Sequence, residues 1–382
     1  MITSVTMTPP RYSRIAVSVF FFMAGLSFAS WASRIPDIKN QLRLSDAGLG
    51  SVLFALPVGL MASLPLSGWT VGKFGSRNML LIAAILYPLL LVLISFAGST
   101  FQLVIALFFF GLVANVFNIS VNTQAVGVEV LYGRSIMASF HGVWSLAGFT
   151  GAVIGTLMVS QLASTTVHFS IICGLSLVLL ALFFKHTLQV DTGDKNQPIF
   201  VMPDKSLLIL GLIAFGCMVC EGTMFDWSGV YFQKVVEVPK KYTTLGYAAF
   251  MGAMAGGRFI GDWLATKLGK KQMIQMSGII IALGLALAII FPTIVVATIG
   301  FLLVGLGVSS VVPLVYSAAG KSGTMSPGAS LAAVSTIGFV GFLLGPPTIG
   351  FIAEAANLRW SFSLIALLGL STTILAARVK FK

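Results

Sequence analysis

Twelve apolar runs, each about as long as a bilayer is thick, recur along this 382-residue chain. They fall at roughly 13–33, 46–71, 78–97, 101–127, 135–160 and 166–185, then at 206–232, 244–266, 272–291, 293–319, 325–353 and 359–378. An α-helix rises about 1.5 Å per residue, so about 20 apolar residues cross a hydrocarbon core. Only 9% of the residues are charged, where a soluble domain carries about 25%. The pattern predicts an all-α polytopic membrane protein with twelve transmembrane helices. Arg11 and Arg14 precede the first run, but that run is too long for a signal-peptide core and ends at Trp31, so it reads as a retained span.

Residues 186–205 are the one long polar interruption and predict a linker between two units, 1–185 and 206–382. The net charge of +12 raises the question of nucleic acid. The basic residues sit in short gaps between spans, however, so topology accounts for them and no nucleic-acid partner is expected. With the N-terminus in the cytoplasm, fifteen of the 23 Lys and Arg residues fall on the inner side and seven on the outer, leaving Arg258 inside the membrane. Both termini are therefore expected in the cytoplasm. Cys173, Cys217 and Cys220 lie within apolar runs, where packing is their expected role.

The second half echoes the first. Lys73-Phe-Gly75 after span two matches Lys267-Leu-Gly269 after span eight, at an offset of 194. Gly111 meets Gly305 at the same offset, Gly155 meets Gly350 one residue later, and Trp31 meets Trp227 at 196. The matches predict two pseudo-symmetric six-helix bundles, the parallel-repeat plan of carriers with a midplane site.

Gly68-Trp-Thr-Val-Gly-Lys73-Phe-Gly75-Ser-Arg77 resembles the loop motif of the major facilitator superfamily (MFS), between its second and third helices. Gly72 stands where the motif carries aspartate, and Thr266 in the second copy. Ser30-Trp-Ala-Ser-Arg34-Ile-Pro36, Phe140-His141-Gly-Val-Trp144-Ser145, Glu221-Gly-Thr-Met-Phe-Asp226-Trp227-Ser228 and Gly345-Pro346-Pro347 are similar to a bacterial branch of YbjJ-type proteins near the fucose permeases. The resemblance implies an ion-gradient-driven carrier in the bacterial inner membrane, with span four lining a central cavity.

Several polar residues in the spans need a reason, because an ionised side chain at the bilayer centre costs on the order of 3 kcal/mol or more without a partner. Glu221 lies mid-span and is the first candidate for proton coupling. Asp226 lies five residues on, about 140° around the helix, and is either a second proton site or an anchor. His141, in span five, is a candidate relay or a structural histidine. Arg258 and Asp262, four apart on span eight, predict a structural or gating pair. By helix direction Arg258 is expected several ångströms to the cytoplasmic side of Glu221. Asn115, Asn118 and Asn122 share one face of span four and offer either interhelical bonds or solute contacts. Trp31, Trp144 and Trp227 could stack on a flat solute, or pack. Tyr316 is the aromatic counterpart of Asn122 in the second half. Arg34 is expected at the outer mouth as an anchor before Pro36. Lys73 and Arg77 belong to the gating loop, and Gly345, Pro346 and Pro347 are expected to break and bend span eleven.

No phosphate loop, metal cluster or nucleophile–base array is present in the sequence, so neither an enzyme nor a cofactor or metal is expected. The expectation is a monomeric secondary transporter, embedded in lipid. It would carry a small polar organic solute, sugar-like in one version, coupled to protons by alternating access. The rival readings are efflux of amphipathic compounds, a membrane sensor or assembly partner that lost transport, and lipid scrambling.

Overall fold

The computed structural model describes residues 10–133, 136–189, 205–322 and 327–379, apart from a few side chains inside helices. Among the described residues fourteen α-helices follow one another. They are α1 (Pro10–Gln41), α2 (Asp46–Leu53), α3 (Ala55–Phe74), α4 (Ser76–Ile94), α5 (Thr100–Tyr132), α6 (Met137–Ser160) and α7 (Thr165–Phe183), then α8 (Lys205–Lys234), α9 (Leu245–Leu268), α10 (Lys270–Ile290), α11 (Ile294–Ser309), α12 (Val311–Gly320), α13 (Pro327–Ala355) and α14 (Leu358–Arg378). The interruption read as a linker at 186–205 lies mostly outside the described residues.

These helices make twelve spans, because α2 continues into α3 and α11 into α12. Both breaks have one cause. Pro57 has no N–H for the carbonyl of Leu53, and Pro313 has none for that of Ser309, so the helix breaks at Phe54 and at Ser310. Eleven spans are long and apolar enough to cross a membrane by composition. The twelfth, α9, has 24 residues and carries Arg258, Asp262 and Lys267, which lower its hydropathy.

Two sequence expectations are corrected. Span one does not end before Arg34; α1 runs through Pro36 to Gln41. Pro36 removes a single helix bond, and Arg34, read as a mouth anchor, is 1% exposed. Likewise α13 is continuous through Pro346 and Pro347. The residue before the pair is Gly345, which has no Cβ to clash with the proline ring in helical conformation.

Helices α1 to α7 pack mainly among themselves, as do α8 to α14. The repeat is legible in detail. Gly75 (φ 83°) and Gly269 (φ 81°) each end a helix in the left-handed region that favours glycine, and each N–H donates four residues back at 2.9 Å. Gly111 lies against the carbonyl of Leu56, and Gly305 against that of Phe250, exactly one repeat offset apart. The Nζ of Lys73 sits 4.7 Å from the centre of the Trp69 ring, and that of Lys267 4.1 Å from Trp263. The repeat fails at Gly155 and Gly350. Gly155 faces Ser33 of its own bundle, whereas Gly350 faces Asp46 and Gly50 of the other.

The bundles meet along three pairs, α1 with α8, α2 with α13, and α6 with α9. We call the face where α1 begins and α14 ends the near face, and the opposite one the far face. Contacts of α2 with α13 lie at the far face, where a Cβ on Gly50 would come within 2.7 Å of the Pro346 carbonyl and 3.0 Å of Gly350 Cα. Toward the near face, a Cβ on Gly68, Gly72 or Gly256 would meet nothing within 4 Å. The bundles are in close backbone contact at the far face, and α3 and α9 make no such contact at these three glycines.

Candidate functional site

Glu221 lies midway along α8, on the turn that faces α9 and α12. It is 6% exposed. Its Oε1 sits 3.3 Å from Arg258 Nη2. Arg258 of α9 reaches Glu221 with its long side chain. The same guanidinium donates through Nη1 to Ser145 Oγ of α6 at 2.5 Å. Ser145 in turn donates to the His141 carbonyl at 3.0 Å, so its hydroxyl is fully engaged. The Trp144 ring centre lies 5.9 Å from the guanidinium carbon. One cation thus ties the C-terminal bundle to the N-terminal one in mid-membrane, balanced by a single carboxylate. The expected partner Asp262 has its side chain outside the described residues.

This junction retains unused polar capacity. Arg258 Nε is buried without a hydrogen-bond partner, and Tyr316, whose hydroxyl is within reach of Ser335, lies within electrostatic range of Glu221. His141 is solvent-accessible and stands edge-on to Phe21 at 5.3 Å.

An aromatic layer closes the space on the far side of the junction. Phe28 of α1 meets Phe225 of α8 edge-on at 5.2 Å and Trp144 of α6 at 6.3 Å. Phe225 also stacks on Phe342 of α13 at 6.4 Å and meets Phe250 of α9 at 5.8 Å. Phe225 is one turn beyond Glu221, so rings from both bundles roof the carboxylate.

The remaining candidates are dispersed. Asn115 is buried and donates to Ser67 Oγ of α3 at 3.1 Å, a bond within one bundle. Further along the same face, Asn118 is exposed and Asn122 half-buried, the latter donating to the Asn118 carbonyl at 2.8 Å. Gln124, off that face, is buried against Ser76 and Leu188. Trp31 and Trp227 are at most 1% exposed, each with an unpaired indole N–H, so neither offers a ring face to a solute in this conformation. Asp226 is half-buried, two turns from the far end of α8. Arg77 lies over the Phe184 ring at 5.0 Å.

A second charged junction crosses the seam at the far face. Asp46 accepts from Lys39 of its own bundle, and from Lys234 of the other at 2.8 and 2.9 Å. Glu354 of α13 accepts from the Asp46 and Ala47 N–H groups at 2.9 and 3.3 Å, so a carboxylate of one bundle caps a helix of the other. Asp37 meets Lys240 at 3.3 Å, and Thr244 donates to Thr156 at 2.9 Å.

Sequence reasoning missed Ser145 as a partner, Phe28, Phe225 and Phe342 as a roof, and the whole Asp46 junction. Asp46 sits beside Ser45, a helix-start signal, and was absorbed into the span boundary. The paired Trp69 and Trp263 stand at the repeat offset and were available to the same comparison that found Gly75 and Gly269.

Comparison with known proteins gives a consistent picture. The sequence model of the family described as Major Facilitator Superfamily matches residues 15–326. An uncharacterized MFS-type transporter of Yersinia pestis is 34% identical, with 97% of each chain covered. Membrane protein MosC of Rhizobium meliloti is 33% identical over 93% of this chain and 87% of its own. Among solved structures, a bacterial homologue of the human lysosomal transporter Spinster, in an inward-facing and occupied conformation, superposes with a TM-score of 0.77 at 13% identity, covering 97% of both chains.

Proposed function

Because the chain belongs to the Major Facilitator Superfamily, a family of multi-pass membrane transporters, we propose that it is a proton-coupled secondary carrier of a small polar organic solute. The observation that carries this reading is the Glu221–Arg258–Ser145 junction, a buried charge pair shared between the two bundles. A buried pair is hard to lose one member at a time, since the remaining charge is stranded. Protonating Glu221 leaves Arg258 without its counter-ion. A solute hydroxyl or carboxylate entering from the open side then takes the vacant position on the guanidinium. Proton and solute thereby favour each other, the thermodynamic requirement for coupling.

In this reading the solute lies beneath the aromatic roof, against Arg258, Tyr316 and Trp144, with Asn118, Asn122 and His141 lining the approach. Asn115 ties α5 to α3 within the first bundle, and Trp31 and Trp227 serve packing. Asp226 is a second carboxylate on the far side of the roof, where a proton would pass in the opposite state. The far-face junction, the Lys73–Arg77 loop and the Gly345–Pro347 segment serve the conformational change. The units 1–185 and 206–382 rock as two bodies joined by 186–205. The excess of Lys and Arg at the near face supports a cytoplasmic near face, both termini inside and an inward-open conformation, in a bacterial inner membrane. The carrier acts as a monomer.

The aromatic roof favours a second reading, efflux of an amphipathic compound whose apolar part stacks on Phe225 and Phe342. Proteoliposomes separate the two. A polar solute whose entry acidifies the lumen supports symport, and loss of that acidification in Glu221→Gln places the coupling at Glu221. Uptake indifferent to an imposed pH gradient for every polar solute, with gradient-driven extrusion of dyes, overturns the first reading in favour of the second.

A further inference from the structure

The far face holds a cavity of about 580 Å³, separated from the central junction by the aromatic roof. Both bundles build it. Arg34, Asp37 and Asn40 contribute from α1, Gln233 from α8, and Lys240 and Thr243 from the loop beyond. Its charges do not cancel. Asp37 is the sole carboxylate in the lining, and it already serves two cations, Arg34 Nη1 at 2.7 Å and Lys240 Nζ at 3.3 Å. The wall keeps one net positive charge.

Arg34 is held there at unusual expense. It is 1% exposed, and its Nε donates to His168 Nδ1 at 3.1 Å. That bond leaves the His168 proton on Nε2, which is itself buried without a partner. Two of the three guanidinium nitrogens are thus engaged, one by His168 and one by Asp37 of the lining. The third, Nη2, has no hydrogen-bond partner. A guanidinium N–H buried and unpaired costs more than an exposed one, so the orientation imposed by His168 and Asp37 needs a beneficiary. Lys240, 62% exposed at the rim, supplies a second, movable donor, and Asn40 and Gln233 supply neutral ones.

We propose that this cavity is a binding site for a small organic carboxylate, held between Arg34 Nη2 and Lys240 Nζ. A planar oxyanion matches a guanidinium better than a spherical ion does, and the volume suits a molecule of a few carbon atoms. Because the wall comes from both bundles, the site exists only while the far face is closed.

The test uses the full-length protein in nanodiscs, where both faces are accessible. Gln41 lines the cavity and is exposed, while Cys173, Cys217 and Cys220 are buried, so Gln41→Cys offers one reactive thiol to a bulky maleimide. Succinate is expected to slow its labelling about fivefold when about four-fifths of the sites are filled, as mass action requires. Neutral succinamide and chloride are expected to leave it unchanged. Lys240→Gln, at an exposed position, is expected to raise the succinate needed about tenfold. Arg34→Lys is expected to raise it further, since an ammonium cannot keep the fork geometry. Protection is also expected to vanish when Gly50→Leu holds the far face open. The proposal is overturned if Gln41→Cys labels only at background, if succinate gives no protection, if succinamide protects equally, or if protection persists unchanged in Lys240→Gln or in Gly50→Leu.

Discussion

Two charged junctions cross the seam between the bundles, and they are balanced differently. At the centre one carboxylate, Glu221, meets one guanidinium, Arg258, and the pair sums to zero. At the far face the ammonium groups of Lys39 and Lys234 share Asp46, and Glu354 stands beside them as a second carboxylate, so the balance is spread over four groups from both bundles. The surroundings differ as well. The Glu221 side chain is 8% exposed, whereas Lys234 is 46% exposed. In the buried pair Coulomb attraction and desolvation are both large and nearly offset. At the rim only Lys234 is screened by salt, since the side chains of Lys39 (3% exposed) and Asp46 (10%) are as buried as that of Glu221. In the proposed reading the central junction responds to a proton or a polar solute, and the rim junction sets how firmly one face stays shut.

The largest expected effect comes from breaking the central pair on one side only. Glu221→Leu strands Arg258 and is expected to cost about 3–5 kcal/mol, whereas the double variant Glu221→Leu, Arg258→Leu is expected to recover most of that loss. Thermal unfolding of all three proteins in one detergent reads the cycle. If the double variant is as unstable as the single one, the pair is not the source of the cost. Glu221→Gln is the functional counterpart. It is expected to abolish uphill, proton-driven accumulation while leaving exchange down a solute gradient measurable, and to flatten the dependence of uptake on external pH.

Closing the far face should be next in sensitivity. Gly50→Leu or Gly350→Leu forces a side chain into backbone, a penalty of about 1–3 kcal/mol against the closed state. The expected result is faster labelling of a cysteine placed at Thr156, beside the Thr244 contact. Asp46→Asn acts in the same direction, by about 1–3 kcal/mol, because it releases the half-exposed Lys234 and strands the buried Lys39. Raising the salt concentration is expected to imitate it in the wild type and to leave the variant nearly unchanged. The smallest effect is expected at the repeated cation–π contacts, where Lys73→Gln and Lys267→Gln each lose about 0.5–1 kcal/mol. Their near equality, read from thermal unfolding, checks that the two bundles are held alike at the near face.

The sequence carried the membrane fold because each apolar run has one workable backbone solution in lipid, a helix. The repeat was readable for a related reason. Gly75 and Gly269 occupy a backbone conformation that other residues avoid, and Gly111 and Gly305 lie where a helix crossing leaves no room for a side chain. The site was legible only in part. Glu221 and Arg258 announce themselves as charges in apolar helices, but their pairing depends on how far the arginine side chain reaches from α9, which helix direction alone does not fix. Ser145 and the phenylalanines of the roof look like any other small or apolar residues in a span. Trp31 and Trp227 stayed open between stacking on a solute and packing, because an aromatic ring reads the same in sequence whether it faces a cavity or a core. Asp46 and Glu354 sit at helix ends, where the register between bundles decides what a charge meets.

The contact of Gly50 with Gly350, Pro346 and Pro347 has a consequence for how such a carrier can change over generations. A seam of interdigitated side chains can be retuned one methyl group at a time. A seam of bare backbone has no such intermediate steps, since the smallest addition at either glycine already collides. Adjustment of the closed state must therefore happen beside the seam, in Lys39, Asp46, Lys234, Lys240 and Glu354, where a residue can be exchanged without disturbing the fit. The backbone contact acts as a fixed stop, and the charges around it as the part left free to vary.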